Sequence, residues 1–178
     1  MDNTKDCSMY TDHIESGKRK FTLSCKVNGN QVVRDVDPSM TLLHFLRDGL
    51  KLFGPKEACG EGECGACTII MDGKAVTSCI ILAVEAEGSE ITTVEGLAQN
   101  GKLSILQEEF ISQDALQCGF CTPGFLMSSR ALLDSDPNPS DEKIIEALSG
   151  NLCRCTGYIP ILEAVKRTAE RELKELGS

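Results

Sequence analysis

The sequence predicts an α+β protein in two parts, a small domain of strands around one helix followed by an all-α four-helix bundle. Three observations lead there: alternating apolar segments joined by Asx-Gly turns up to about residue 97, helical apolar spacing beyond it, and eight of the ten cysteines divided four and four between the halves. At 178 residues the chain is long enough to bury two cores.

Residues 1–20 are polar, of mixed charge, and end in Lys18-Arg19-Lys20, which predicts a flexible arm. From Phe21, FTLSCKV and QVVRDV flank the turn residues Asn28-Gly29-Asn30 and predict a β-hairpin. Thr41 is placed to N-cap a short helix, LLHFLRDGL, with Leu42, Leu43, Phe45, Leu46 and Leu50 inward and His44 packed among them. After a loop rich in glycine and cysteine, TIIMDGKAVTS predicts a second hairpin around Asp72-Gly73, and EITTVE a final strand before Gly96. The expected domains are therefore 21–97 and 98–178. In the second, LSILQEEF, PGFLMSSRALLDS, DEKIIEALSG and PILEAVKRTAERELKEL carry helical spacing. Thr122-Pro123 and Ser140-Asp141 are the expected caps, and Asp136-Pro137-Asn138-Pro139 a helix stop.

Composition excludes more than it indicates. The 18 Lys+Arg against 27 Asp+Glu give a net charge of −9, which repels phosphate backbones, and the absence of Trp removes a stacking platform, so no nucleic-acid partner is expected. Two histidines, His13 and His44, cannot build a His-rich catalytic metal centre. Neither a signal peptide nor an apolar run of about 18 residues is visible, so no membrane association and a cytoplasmic, reducing location are expected. There, clustered cysteines bind metal more often than each other.

Cys59, Cys64 and Cys67 are spaced C-x4-C-x2-C, with Cys79 following across a hairpin, the plant-type [2Fe–2S] pattern. Gly60, Gly62 and Gly65 allow the sharp turns that bring three thiolates onto one loop, and the amides freed there can donate to sulfur and raise the reduction potential. A structural zinc site also takes four cysteines, though zinc knuckles favour two short, similar pairs. Gly60-Glu61-Gly62-Glu63-Cys64-Gly65, with Glu85 twenty residues on, matches a dinucleotide fingerprint only literally, since no strand precedes it and no helix opens there. In the second half, Cys118 and Cys121 form C-x2-C and Cys153 and Cys155 form C-x-C, each pair just before a predicted helix. Two facing helix N-termini would suit an anionic binuclear cluster; zinc remains the alternative here too. Cys7, in the arm, and Cys25, on a strand, fall outside every motif. Arg154, between two cysteines, is left without a role.

CGEGECGACTI with its later cysteine, QCGFCTPG and GNLCRCTGY together resemble the small iron–sulfur subunit of xanthine dehydrogenase and aldehyde oxidase-type molybdenum hydroxylases, across about residues 21–170. The resemblance implies an N-terminal β-grasp ferredoxin domain whose cluster is held by Cys59, Cys64, Cys67 and Cys79. It implies a helical domain whose cluster is held by Cys118, Cys121, Cys153 and Cys155 near the molybdopterin of a separate large subunit. By motif, Gln117 would hydrogen-bond the molybdopterin and Cys155 would link its cluster to the pterin edge. The implied function is an electron relay between molybdenum and an FAD subunit or another acceptor, in a heterotrimer or a doubled heterohexamer. Xanthine or purine oxidation is the default activity, with aldehyde, nicotinate, carbon monoxide and 4-hydroxybenzoyl-CoA chemistry, or a free two-cluster ferredoxin, as alternatives.

Overall fold

The computed structural model describes residues 20–177, so the expected arm, with Cys7 and His13, lies outside the described residues. β1 (Phe21–Val27) and β2 (Asn30–Val36) pair antiparallel from Phe21 opposite Val36 to Val27 opposite Asn30. Asn28 and Gly29 between them have φ of 49° and 78°, the two left-handed residues of a type I′ turn, so Asn30 belongs to the strand. β3 (Thr68–Met71) and β4 (Lys74–Thr77) repeat the arrangement around Asp72 and Gly73. β5 (Glu90–Thr92) runs parallel to β1 and antiparallel to β3, giving the sheet order β2-β1-β5-β3-β4.

The strand expected over EITTVE ends at Thr92. Asn28 Oδ1 accepts from the Thr93 amide at 2.8 Å, and Val94–Gly96 then winds into a 3-10 turn that carries the chain towards the helices. α1 (Leu42–His44) starts where predicted, with Thr41 Oγ1 accepting from the His44 amide at 3.2 Å, and passes into a π-helical turn over Phe45–Gly49. Leu42, Phe45 and Leu46 pack against Leu23, Ile69 and Ile91 of the sheet. His44 differs from expectation. Its ring faces water and lies 3.3 Å from Glu57 Oε2, because it occupies the side of the helix turned away from the sheet.

Four helices follow: α2 (Ile105–Ser112), α3 (Thr122–Ser135), α4 (Asp141–Leu148) and α5 (Ile159–Leu176). Ser140 caps α4 as expected, its hydroxyl 3.5 Å from the Lys143 amide. Thr122 does not cap α3; it lies inside the first turn, and Cys121 takes the cap position without a side-chain bond. Sequence reading also missed a capping box on α2, where Ser104 and Gln107 satisfy each other's amides. Phe110, Phe125, Met127, Ile144 and Val165 form the helical core, and Ile70 of β3 joins it. That shared core follows from α3 packing across β3 and β4. Charged clamps fix α5: Arg130 makes a fork to Glu172 at 2.6 and 3.2 Å, and Arg171 reaches Glu109 and Glu108 at 2.7 and 2.8 Å. Among the described residues, no helix is long and apolar enough to cross a membrane.

Candidate metal centres

The loop between α1 and β3 carries three of the first four cysteines. Gly60, Gly62 and Gly65 all adopt left-handed φ, near 70–80°, and so fold the loop back on itself. Cys79 arrives from the other side, on a 3-10 turn directly after β4. The neighbouring Ser78 sets its position, its hydroxyl donating to the Cys67 carbonyl at 2.7 Å. The thiols influence one another in pairs: Cys64 acts on Cys59 and Cys67 on Cys79, with Cys79 also feeling the charge of Cys59. Leu43 of α1 covers Cys67 and Cys79, which are buried, whereas Cys59 and Cys64 are partly exposed.

Cys59 and Cys79 are shifted in opposite directions. The Glu61 amide, 3.4 Å from the Cys59 sulfur, followed by the Cys64 amide and thiol, lowers the Cys59 thiol to about 6. Burial, and then the Cys67 thiol and its charge, push Cys79 up to about 11 against the opposing Gly62 amide. Cys59 thus favours the thiolate in water, while Cys79 needs a nearby positive charge to ionise.

In the helical half, Cys118 and Cys121 end the loop before α3, and Cys153 and Cys155 lie in the loop before α5. Cys118 and Cys155 are exposed, with their sulfurs 3.7 Å apart; Cys121 and Cys153, less exposed, form the inner pair. The Thr156 hydroxyl and amide reach the Cys153 sulfur at 3.1 and 3.4 Å. Burial acts upward on Cys153, yet these donors and the Cys155 amide outweigh it and lower the thiol to about 7. Cys121 is pushed up to about 12 by burial and then by Cys153. Tyr158, at φ 71°, turns its hydroxyl back to accept from the Cys153 amide at 3.0 Å and sets its ring edge-on to Phe125.

The two-by-two pairing bears on what the cysteines hold. Two thiolates on one tetrahedral ion, with bonds of about 2.3 Å, lie roughly 3.8 Å apart, close to the 3.7 Å of Cys118 and Cys155. Four cysteines at each site are the donor set that a binuclear [2Fe–2S] group takes.

Sequence reading missed what joins the sites. The Leu152 amide donates to the Cys64 carbonyl at 3.0 Å, and the buried Asn151 side chain donates to the Gly65 carbonyl at 3.1 Å. Thr68 supplies two further donors to that carbonyl, its amide and its hydroxyl. A polar residue two positions before Cys153 was the available signal, but only the docking of the halves gives Asn151 its partner. Gln117 is exposed beside Cys118, and Arg154 is exposed. Cys25, outside every motif, is buried in the sheet core, its thiol raised first by burial and then by Glu87.

Comparison with known proteins gives two family matches: a 2Fe-2S iron-sulfur cluster binding domain over residues 25–98 and a [2Fe-2S] binding domain over residues 93–166. The chain is 49% identical to the nicotinate dehydrogenase small FeS subunit of Eubacterium barkeri over 152 residues, covering 85% of this chain and 97% of that one. It is 55% identical to the nicotine 6-hydroxylase small subunit of Paenarthrobacter nicotinovorans, covering 82% and 88%. Its structure superposes on a chain of quinoline 2-oxidoreductase from Pseudomonas putida 86 with a TM-score of 0.84 at 46% identity, covering 89% and 98%.

Proposed function

The chain belongs to the small [2Fe–2S] subunits of the molybdenum hydroxylase family, and from that premise we propose that it relays electrons released by oxidation of a nitrogen-heteroaromatic ring on a partner. It is an electron-transfer subunit of a multi-subunit molybdenum oxidoreductase. The finer reading assigns Cys59, Cys64, Cys67 and Cys79 to one cluster and Cys118, Cys121, Cys153 and Cys155 to the other. The observation that supports it is the 3.7 Å approach of the Cys118 and Cys155 sulfurs, beside the mutual electrostatic influence of Cys59 with Cys64, Cys67 with Cys79 and Cys121 with Cys153. A [2Fe–2S] cluster takes up and returns one electron.

Around that chemistry the chain supplies charge compensation and orientation. The Glu61 amide at Cys59 and the Thr156 donors at Cys153 stabilise negative sulfur. Leu43 keeps water from Cys67 and Cys79. Leu116, Phe120, Leu152 and Ile159, all exposed and close in sequence to the helical-domain cysteines, suit a protein partner. We assign that face to the molybdopterin-binding large subunit, with Gln117 and Cys155 directed to the pterin, and the Cys59 side to an FAD subunit.

The xanthine dehydrogenase default gives way to the nicotinate-type alternative. Nicotinate, nicotine and quinoline, in the names of the similar proteins, share a six-membered aromatic ring containing nitrogen. Positions 6 and 2 in two of those names are ring carbons beside the nitrogen, electron-poor and open to attack by oxygen from water. Each such hydroxylation releases two electrons, which two one-electron carriers in series can remove.

The test is metal content and low-temperature EPR of the complex purified from its host. About four irons per chain and two distinct [2Fe–2S] signals, with molybdenum in a co-purifying larger chain, are expected. Zinc in place of iron would overturn the relay, and two signals without a molybdenum partner would favour a free ferredoxin. Rapid reduction of both signals by a pyridine- or quinoline-type substrate, and not by xanthine, tests the substrate class.

A further inference from the structure

The two sites are joined by a direct hydrogen-bonded path. The Cys64 carbonyl accepts from the Leu152 amide at 3.0 Å. Cys64 is a ligand candidate of the first site, and Leu152 is bonded to Cys153, a ligand candidate of the second. From the sulfur of Cys64 to that of Cys153 the route runs along covalent bonds, interrupted once by this hydrogen bond. Electrons tunnel more readily through bonds than across a gap, and a short hydrogen bond in a dry contact behaves almost as a bond.

Something must hold that contact closed, and the backbone pair does not do so alone. Asn151 is 4% exposed and donates to the carbonyl of Gly65, the residue after Cys64. Its side chain crosses from the helical half to the ferredoxin half one residue before Leu152. The surroundings leave no slack: a Cβ on Gly65 would overlap Asn151 and the Gly150 carbonyl, and a Cβ on Gly124, at the start of α3, would overlap the Gly65 carbonyl. Backbone from three segments therefore meets around the Asn151 amide at a separation that only glycine permits.

We propose that the hydrogen bond from the Leu152 amide to the Cys64 carbonyl is the electron-coupling link between the two cysteine sites, and that Asn151 is the positioning residue that holds it at length. The link carries one electron at a time: an iron on one side goes from ferrous to ferric as an iron on the other goes from ferric to ferrous, and no bond or proton changes hands. The inference rests on the two-cluster reading and adds to it a route and a residue.

The experiment uses the full chain bearing its clusters, unaltered and as Asn151→Asp, Gly124→Ala and Thr68→Val. Asn151→Asp keeps the shape and loses the donor; Gly124→Ala keeps Asn151 and wedges the Gly65 carbonyl away, so the two test the contact by independent means. Thr68→Val removes a different donor to the same carbonyl without touching the crossing between halves. The readouts are the mutual spin splitting of the two EPR signals in the doubly reduced chain and the rate of one-electron equilibration after a reducing pulse. The expected result is a diminished splitting and a several-fold slower equilibration in Asn151→Asp and Gly124→Ala, with Thr68→Val like the unaltered chain. Unchanged splitting and rate in either of the first two, with both signals present, would overturn the proposal, as would an equal slowing in Thr68→Val. Failure of the unaltered chain to show two signals would instead remove the relay reading beneath it.

Discussion

Replacing Gly65 by alanine should cost far more than the same change at Gly60, although both lie on one loop at nearly the same φ, 69° and 71°. A side chain in the left-handed region costs about 1–2 kcal/mol at either position. At Gly60 nothing lies within 4 Å of the added Cβ, so that is the whole effect. At Gly65 the new methyl meets Asn151 Nδ2 and displaces it from the Gly65 carbonyl, leaving buried polar groups unpaired for roughly 1–3 kcal/mol more. The expected loss is about 2–5 kcal/mol at Gly65 against about 1–2 at Gly60. For a chain of this length each kcal/mol lowers Tm by about 2–4 °C, giving roughly 4–20 °C and 2–8 °C. Differential scanning calorimetry, with visible absorbance followed in parallel, measures both. Equal shifts would show that the contact of Asn151 with Gly65 contributes nothing to stability.

Thr156→Val removes the hydroxyl 3.1 Å from the Cys153 sulfur, so the helical-domain cluster should become harder to reduce while the other keeps its potential; an EPR-monitored redox titration reads both at once. The same substitution should raise the Cys153 thiol from about 7 in the metal-free chain, seen as slower alkylation at neutral pH. Phe125→Ala removes a fully buried ring and its edge contact with Tyr158, for a loss of about 3–5 kcal/mol in urea unfolding. Glu109 is held below its ordinary value, first by the hydrogen bond from Arg171, so it stabilises the fold above that value of 4.5 and loses the contribution as pH falls through its lowered folded value. Glu109→Gln should therefore cost about 1–2 kcal/mol at neutral pH, the half-exposed Arg171 keeping it modest, and the difference from the parent chain should vanish in acid.

Legibility in the sequence followed locality. Asn28-Gly29 and Asp72-Gly73 announce their hairpins because the turn depends on two adjacent residues, and α2 to α5 are visible because an apolar stripe at helical spacing is local. The cysteine sets were legible for the same reason, each spacing being a property of a short loop. The misses depend on neighbours distant in the chain. His44 reads as one more core position until the sheet shows which side of α1 it covers. EITTVE reads as a six-residue strand until Asn28 captures the Thr93 amide. Asn151 shows in its own segment only as a polar residue before Cys153, and its role stays hidden because its partner carbonyl lies 86 residues away.

β5 is only three residues long, yet among the described residues no other ladder connects the first hairpin to the second. It is also the last strand in chain order, so the order of synthesis matters. A nascent chain that has emerged as far as Cys79 already contains all four cysteines of the first site, but its two hairpins have no strand between them. Their inner edges stay unpaired until residues 90–92 leave the ribosome, and α3, which covers β3 and β4, follows later still. The sheet that carries the first cysteine set is therefore closed by a segment that contains none of those cysteines, and shortening or proline substitution in β5 should appear as a maturation defect before it appears as a change in redox chemistry.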